Sequence, residues 1–249
     1  MITKNKRLDF MNIKIDNLSM QEALERIDQL VREKKSSYIV TPNVDHIVRV
    51  EKDPLLKLVY DNASLVLTDG KPLIWISKLY GKPIKEKISG SDLFPLLCEM
   101  SAKRNYRLFF IGAAEGVARR VAVKLLERYE NLKVVGTYSP PLGFEKDKKE
   151  VEKIRQLISE TTPDIVIYCL GTPKQEYFMY KYYKSFNVPV SIGLGATLDF
   201  EAGNVKRAPK WMSNCGLEWF FRLLHDPKRL FKRYLIDDLA IIRLIFKYW

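Results

Sequence analysis

Short apolar runs rich in β-branched residues alternate with amphipathic segments along most of this chain, and no other feature restricts its fold as much. The runs are found at residues 38–40, 65–67, 107–111, 133–135, 164–170 and 189–192. Between them, residues 20–31, 117–129 and 148–159 repeat apolar side chains at helical spacing. Strands that alternate with helices are typical of parallel βαβ units. The sequence therefore predicts an α/β fold with a Rossmann-like, mostly parallel sheet flanked by helices, and a short edge strand within 11–15.

The strand pattern stops after Gly203, and the rest of the chain is predicted to be helical. Residues 205–249 contain ten Lys and Arg against four Asp and Glu, a net charge of +6 out of the +12 that all 249 residues contribute. A new helix is expected to begin at Asp226-Pro227, because proline is tolerated at the first helical position. We therefore divide the chain into a catalytic α/β domain, residues 1–204, and a basic amphipathic helical appendage, residues 205–249.

The excess of positive charge indicates an anionic partner. In the appendage, basic side chains next to terminal aromatic residues suit contact with the cytoplasmic membrane surface, although a helix with an ordinary solvated face fits the periodicity equally well. The start of the sequence lacks the apolar run of a signal peptide, and no run of about 18 apolar residues could span a bilayer. We expect a cytoplasmic protein that is peripherally associated with the inner face of the membrane.

Polar residues follow the first two apolar runs, where open α/β sheets bind their ligands. Thr41 and Asn43 come directly after the first run, and they could hydrogen-bond a polar substrate. Asp69 follows the second run and precedes Gly70, so its carboxylate could act as a general base. Turn formation and helix capping explain the same residues at least as well when each segment is considered alone.

Glycine turns follow the later apolar runs. Gly112 lies between a predicted strand and a predicted helix, an arrangement that favours phosphate binding, but its spacing matches neither a dinucleotide fingerprint nor a P-loop. Gln175 follows Gly171 and could contact a base or a sugar, or could belong to an ordinary helix start. Arg207 lies just after the glycine-rich segment 193–203, where it adds positive charge beside a flexible backbone.

Six short segments place these residues in one order along the chain: Thr41-x-Asn43, Asp69-Gly70, Gly90-Ser-Asp92-Leu93, Phe110-x-Gly112, Gly171-x-Pro173-Lys-Gln175-Glu176 and Gly216-Leu-Glu-Trp219-x-x-Arg222. In this order and spacing the chain resembles the WecG/TagA/CpsF glycosyltransferases, family 26. No single segment is unique to that family. The joint pattern is specific, and it extends over almost the whole chain.

The resemblance implies an inverting glycosyltransferase of surface polysaccharide or teichoic acid synthesis. Its donor would be a UDP-sugar, N-acetylmannosamine above all, and its acceptor a sugar linked to a polyprenyl diphosphate. UDP-glucose and UDP-N-acetylmannosaminuronic acid remain alternative donors. Asp69 would be the catalytic base, and Thr41 and Gln175 would belong to the active site. Three arginines of the appendage would contact the diphosphates and the membrane: Arg222, Arg229 and Arg233.

One position departs from the family pattern. Lys87 stands where relatives usually have arginine, and lysine keeps the charge but lacks the planar fork that binds phosphate at two points.

Neither a metal nor another cofactor is expected. The three cysteines are far apart, only two histidines are present, and no D-x-D motif occurs. Two remote alternatives remain, a nucleotide-dependent oxidoreductase and a nucleic-acid-binding module. The missing dinucleotide fingerprint argues against the first, and the clustering of charge in one tail argues against nucleic acid as a partner. Homo-oligomer formation through the partly apolar tail stays open.

Overall fold

A computed structural model describes residues 7–249, apart from the side chains of Lys210, Asn214 and Arg229. The strands are β1 (Leu8–Phe10), β2 (Ile13–Ile15), β3 (Ser37–Val40), β4 (Leu65–Val66), β5 (Arg107–Gly112), β6 (Lys133–Tyr138), β7 (Ile165–Cys169) and β8 (Val190–Gly193). The helices are α1 (Met20–Glu33), α2 (Val44–Val50), α3 (Pro54–Asn62), α4 (Lys71–Leu79), α5 (Gly90–Arg104), α6 (Val117–Arg128), α7 (Lys148–Thr161), α8 (Lys174–Phe186), α9 (Thr197–Ala202), α10 (Lys210–Asn214), α11 (Glu218–His225), α12 (Pro227–Lys232) and α13 (Ala240–Lys247).

One compact unit consists of residues 21–40 and 90–205. Its strands follow the order β3-β8-β7-β5-β6, and each neighbouring pair is parallel. Every residue of β7 and β8 is buried, as expected for strands covered on both faces. Amphipathic helices complete the layers; α7, for example, buries Ile154 and Ile158 and exposes its charged residues. The prediction of an α/β fold with a mostly parallel sheet is confirmed.

The other compact unit combines residues 7–20, 41–89 and 206–249. It begins with an antiparallel hairpin in which Leu8 is paired with Ile15 and Phe10 with Ile13. The strand expected within 11–15 is present as β2. Its partner β1 was missed, because three residues are too few for an alternating pattern to be recognised.

Residues 206–249 form the helices α10 to α13, together with a π-helical turn at Arg233–Asp237. The helical prediction for this region is confirmed, and α12 begins at Pro227 as expected. Leu230 and Leu244 are buried, so the appendage has apolar anchors within its own unit. The division into domains 1–204 and 205–249 stays a prediction. None of the helices formed by residues 7–249 has the length and hydropathy needed to cross a bilayer.

Candidate functional site

Backbone hydrogen bonds connect three loop segments around Asp69. The Asp69 N–H donates to the carbonyl oxygen of Pro42 at 2.8 Å, and the Ile88 N–H donates to that of Thr68 at 2.7 Å. Gly70 follows with φ 98°, a backbone conformation that side chains disfavour, and α4 begins at the next residue. The backbone of Asp69 is therefore fixed just before a helix N-terminus.

The environment of Asp69 makes its carboxylate unusually basic. The pKa of Asp69 is raised from 3.8 to about 6, mainly by burial and next by the negative charge of Glu218. Three groups act in the opposite direction: Lys87, Arg222 and His46. Because burial outweighs their attraction, Asp69 is mostly ionised at neutral pH yet accepts a proton far more readily than an exposed aspartate.

A short chain of hydrogen bonds lies beside this carboxylate. The Nζ of Lys87 donates to the Oγ of Ser213 at 3.4 Å, and this hydroxyl donates to the Oε2 of Glu218 at 3.1 Å. Since a hydroxyl has one hydrogen to donate, the direction of the chain from Lys87 to Glu218 is set. Lys87 is thus connected to the first residue of α11.

Close packing holds Gly216, which lies just before α11, against α4. A Cβ atom at Gly216 would lie 2.4 Å from the indole ring of Trp75 and 3.1 Å from the Cβ of Lys71. Gly216 also has φ 72°, so glycine is required there by both space and conformation. The backbone two residues before Glu218 therefore rests against the helix that follows Asp69.

Arg233 contacts the start of α2. Its Nη2 lies 3.5 Å from the Oδ1 of Asn43 and 3.4 Å from the Oδ2 of Asp45, and its Nε lies 4.0 Å from the Oδ2 of Asp238. Asn43 is the N-cap of α2, and its side chain contacts the Nδ1 of His46 at 2.7 Å. The guanidinium that the resemblance assigns to diphosphate binding is thus held by carboxylates and an amide of its own unit.

Three further expected residues lie in the same unit. Thr41 is buried at the segment that precedes Asn43, whereas Arg207 is exposed. The side chain of Arg229 lies outside the described part of the structure.

The glycine turns expected to bind phosphate belong to the unit with the parallel sheet. Gly112 ends β5 with φ 114°, and a Cβ there would lie 2.2 Å from the carbonyl oxygen of Cys169. The hydroxyl of Ser139 donates to the carbonyl oxygens of Gly112 and Ala114, both at 3.2 Å. The turn before α6 is therefore fixed in shape and admits no side chain at Gly112.

Gln175 is buried in this unit near the end of β8. Its Oε1 accepts the Gly195 N–H at 3.2 Å, and its Nε2 donates to the Oε1 of Glu176 at 2.8 Å. A Cβ at Gly193 would approach the Nε2 to 2.9 Å, so the amide fills the space that this glycine leaves. Gln175 therefore orders the Gly193–Gly195 turn.

The expected residues thus fall into two groups. Asp69, Lys87 and Arg222 are brought together in one unit, whereas Gly112 and Gln175 lie in the other. The sequence reasoning missed Glu218 and Ser213. Glu218 lies inside the family segment from Gly216 to Arg222, but the sequence pattern gave no reason to place its carboxylate near Asp69. Across residues 7–249, no group of three or more His, Cys, Asp and Glu side chains is placed to hold a metal ion.

Comparison with known proteins shows which family the sequence matches. Residues 8–249 match the glycosyl transferase WecG/TagA/CpsF family. A relative from Bacillus spizizenii (strain ATCC 23059 / NRRL B-14472 / W23) is 34% identical over 223 residues, which is 90% of this chain and 83% of the relative. A relative from Bacillus subtilis (strain 168) is 34% identical over 219 residues, 88% of this chain and 83% of the relative. Both are named N-acetylglucosaminyldiphosphoundecaprenol N-acetyl-beta-D-mannosaminyltransferase.

Proposed function

The chain belongs to the WecG/TagA/CpsF family and is a glycosyltransferase, and from this premise we propose its substrates. The donor is UDP-N-acetylmannosamine, and the acceptor is an N-acetylglucosamine linked to a polyprenyl diphosphate. The names of the two relatives support the transferred sugar and the acceptor. The UDP carrier and the inversion of the anomeric centre are our additions.

The observation that carries this proposal is the environment of Asp69. In the proposed reaction, Asp69 takes the proton of the acceptor hydroxyl while that oxygen bonds to the anomeric carbon, and the electron pair of the broken bond leaves with UDP. Attack opposite the leaving group inverts the anomeric centre. A base is most effective when its pKa approaches the working pH, and the pKa of about 6 meets this requirement better than the ordinary 3.8.

Positive groups are required where the departing diphosphate gains charge. Lys87 and Arg222 supply this charge in the unit that contains Asp69. In the unit with the parallel sheet, the turn from Gly112 to Gly116 leads into α6. The backbone N–H groups at the start of a helix can bind phosphate. We assign Lys87 and Arg222 to the reacting centre, and phosphate binding at the turn stays a separate prediction for the unit with the parallel sheet.

The direct test offers the protein a panel of donors with a short-chain lipid-diphosphate N-acetylglucosamine. We expect transfer from UDP-N-acetylmannosamine and little from UDP-glucose or UDP-N-acetylmannosaminuronic acid. Asp69→Asn should lower kcat by about a hundredfold or more while UDP still binds, because only proton removal is lost. Asp61→Asn removes an exposed carboxylate of α3 and should leave kcat unchanged.

Other results would point elsewhere. Transfer from a different donor would correct the sugar, and more than a tenth of the activity in Asp69→Asn would exclude this residue as the base. NAD binding without UDP binding would favour an oxidoreductase. Tight, salt-sensitive RNA binding without UDP binding would favour a nucleic-acid-binding module.

We also propose that the appendage holds the enzyme on the anionic inner surface of the cytoplasmic membrane. Large apolar side chains of this region are at least a third exposed: Trp211, Leu217, Trp219, Phe220, Leu224, Phe231, Leu235, Ile236, Leu239, Ile242, Phe246 and Trp249. Exposed lysines, including Lys228 and Lys232, lie on the same helices. Apolar and basic residues together on short helices suit an interface between water and lipid.

Liposome flotation tests this assignment. Reversal of both lysines, Lys228→Glu with Lys232→Glu, should reduce binding to vesicles of phosphatidylglycerol and phosphatidylcholine at least tenfold, since each basic residue contributes about 1 kcal/mol. The control is the same reversal at Lys148 and Lys149 of α7. Unchanged binding in the appendage variant would place the membrane contact elsewhere. Self-association through the apolar residues would appear instead as concentration-dependent sedimentation without lipid.

A further inference from the structure

We propose that Glu218 is a positioning residue, a second carboxylate that governs proton transfer at Asp69 and orients Lys87 through Ser213. This inference rests on the proposed role of Asp69 in sugar transfer. Glu218 acts through Asp69 and Lys87, so it does not itself need to contact the reacting atoms.

Packing brings the two carboxylates to adjacent helix ends. Glu218 is the first residue of α11, and Gly216, two positions earlier, lies against Lys71 and Trp75 of α4. Asp69 stands two positions before Lys71. Because both connections are short, the contact of Gly216 with α4 limits how far the two residues can move apart.

The hydrogen-bond chain gives Glu218 a defined orientation. Ser213 donates to its Oε2 at 3.1 Å and accepts from Lys87 at 3.4 Å. The hydrogen bond from the serine hydroxyl sets where the Glu218 carboxylate lies. Loss of Glu218 would therefore affect both Asp69 and the position of the Lys87 ammonium.

The charges around Asp69 explain why a second carboxylate is useful. Glu218 and Arg222 face it from α11, Lys87 from the segment before α5, and His46 from α2. Lys87, Arg222 and His46 stabilise the ionised form of Asp69 and so weaken it as a base. The negative charge of Glu218 counteracts them. With Glu218 present, cations can lie near the leaving group while Asp69 stays a stronger base than an ordinary aspartate.

The test compares Glu218→Gln with the wild-type enzyme across pH. Glutamine keeps the acceptor for Ser213 but removes the charge, so the acid limb of kcat/KM should move down by roughly 0.5 to 1 pH unit. Glu218→Asp keeps the charge and should leave the limb within about 0.3 unit of the wild-type position. Glu152→Gln removes the same charge from an exposed position on α7, and its profile should match the wild type.

A second readout separates this inference from the proposed function. Carbon-13 NMR of aspartate-labelled protein, with the signal assigned by Asp69→Asn, measures the titration of Asp69 without any substrate. An unshifted titration in folded Glu218→Gln protein would overturn the role of Glu218, even if sugar transfer is observed. Absence of transfer by the wild type from any donor would overturn the proposed function instead. If Glu218→Gln does not fold by circular dichroism, Glu218→Ser carries the same comparison.

Discussion

Replacement of the candidate base should make the protein more stable while it abolishes catalysis. Burial raises the pKa of Asp69 from 3.8 to about 6, so the folded state is penalised for holding this carboxylate ionised. A difference of about two pH units corresponds to roughly 3 kcal/mol. Asp69→Asn removes the ionisation and with it this cost. For a chain of this length, about 3 kcal/mol should raise Tm by roughly 6 to 12 °C at neutral pH.

The pH dependence gives this prediction its sign. Between about pH 4 and 6 the folded protein still binds a proton that the unfolded chain has released, so wild-type stability falls as pH rises through this window. The gain in stability of Asp69→Asn over the wild type should therefore be complete above pH 6 to 7 and disappear near pH 3.5. Because all other groups are common to both proteins, their contributions cancel in the difference.

Thermal unfolding of both proteins from pH 4 to 8, followed by circular dichroism, measures this difference. Asp61→Asn is the control, because Asp61 is exposed and paired with Lys57 at 3.0 Å, and its effect should stay within about 1 kcal/mol. A Tm gain that is independent of pH, or no gain at pH 7.5, would refute the claim that Asp69 is held at a stability cost.

Three further predictions concern the backbone turn, the C-terminal helix and metals. Gly112→Ala should prevent folding because its Cβ would lie 2.2 Å from the carbonyl oxygen of Cys169. The matched control is Gly171→Ala, where φ is 77° but the space is open. It should cost only about 1 to 2 kcal/mol in unfolding free energy. Tyr248→Phe loses a 2.9 Å hydrogen bond to Glu51 and should lower that free energy by about 1 kcal/mol in urea titration. Activity should survive dialysis against EDTA; loss that Mg²⁺ or Mn²⁺ restores would contradict the expected metal independence.

Much of the fold could be predicted from periodicity alone. The parallel strands β5, β7 and β8 lie where the apolar runs predicted them, because strands covered on both faces must be apolar throughout. The hairpin partner Leu8–Phe10 could not be recognised, since three residues carry too little pattern. Local sequence thus predicts the elements that bury the most apolar surface and misses the short ones.

The candidate site was predictable only where its residues are close in sequence. Asp69 and Gly70 form a recognisable segment at a strand end, whereas Ser213 binds Lys87 from 126 positions further along the chain. Nothing in the local pattern distinguishes Ser213 from other surface serines. The carboxylate partners of Arg233 were missed for the same reason, because an ion pair formed by tertiary packing leaves no periodic signal.

The basicity of Asp69 and the anchoring of the C-terminal helices are expected to depend on each other. Burial is the main cause of the raised pKa, so any change that admits water to this carboxylate should return it towards 3.8. The contacts that hold the appendage in its own unit, Gly216 on Trp75 and Tyr248 on Glu51, should therefore help to keep Asp69 basic without touching a substrate. An appendage that loosens would lower the proton affinity of Asp69 before the chain unfolds, because local opening requires less free energy than global unfolding.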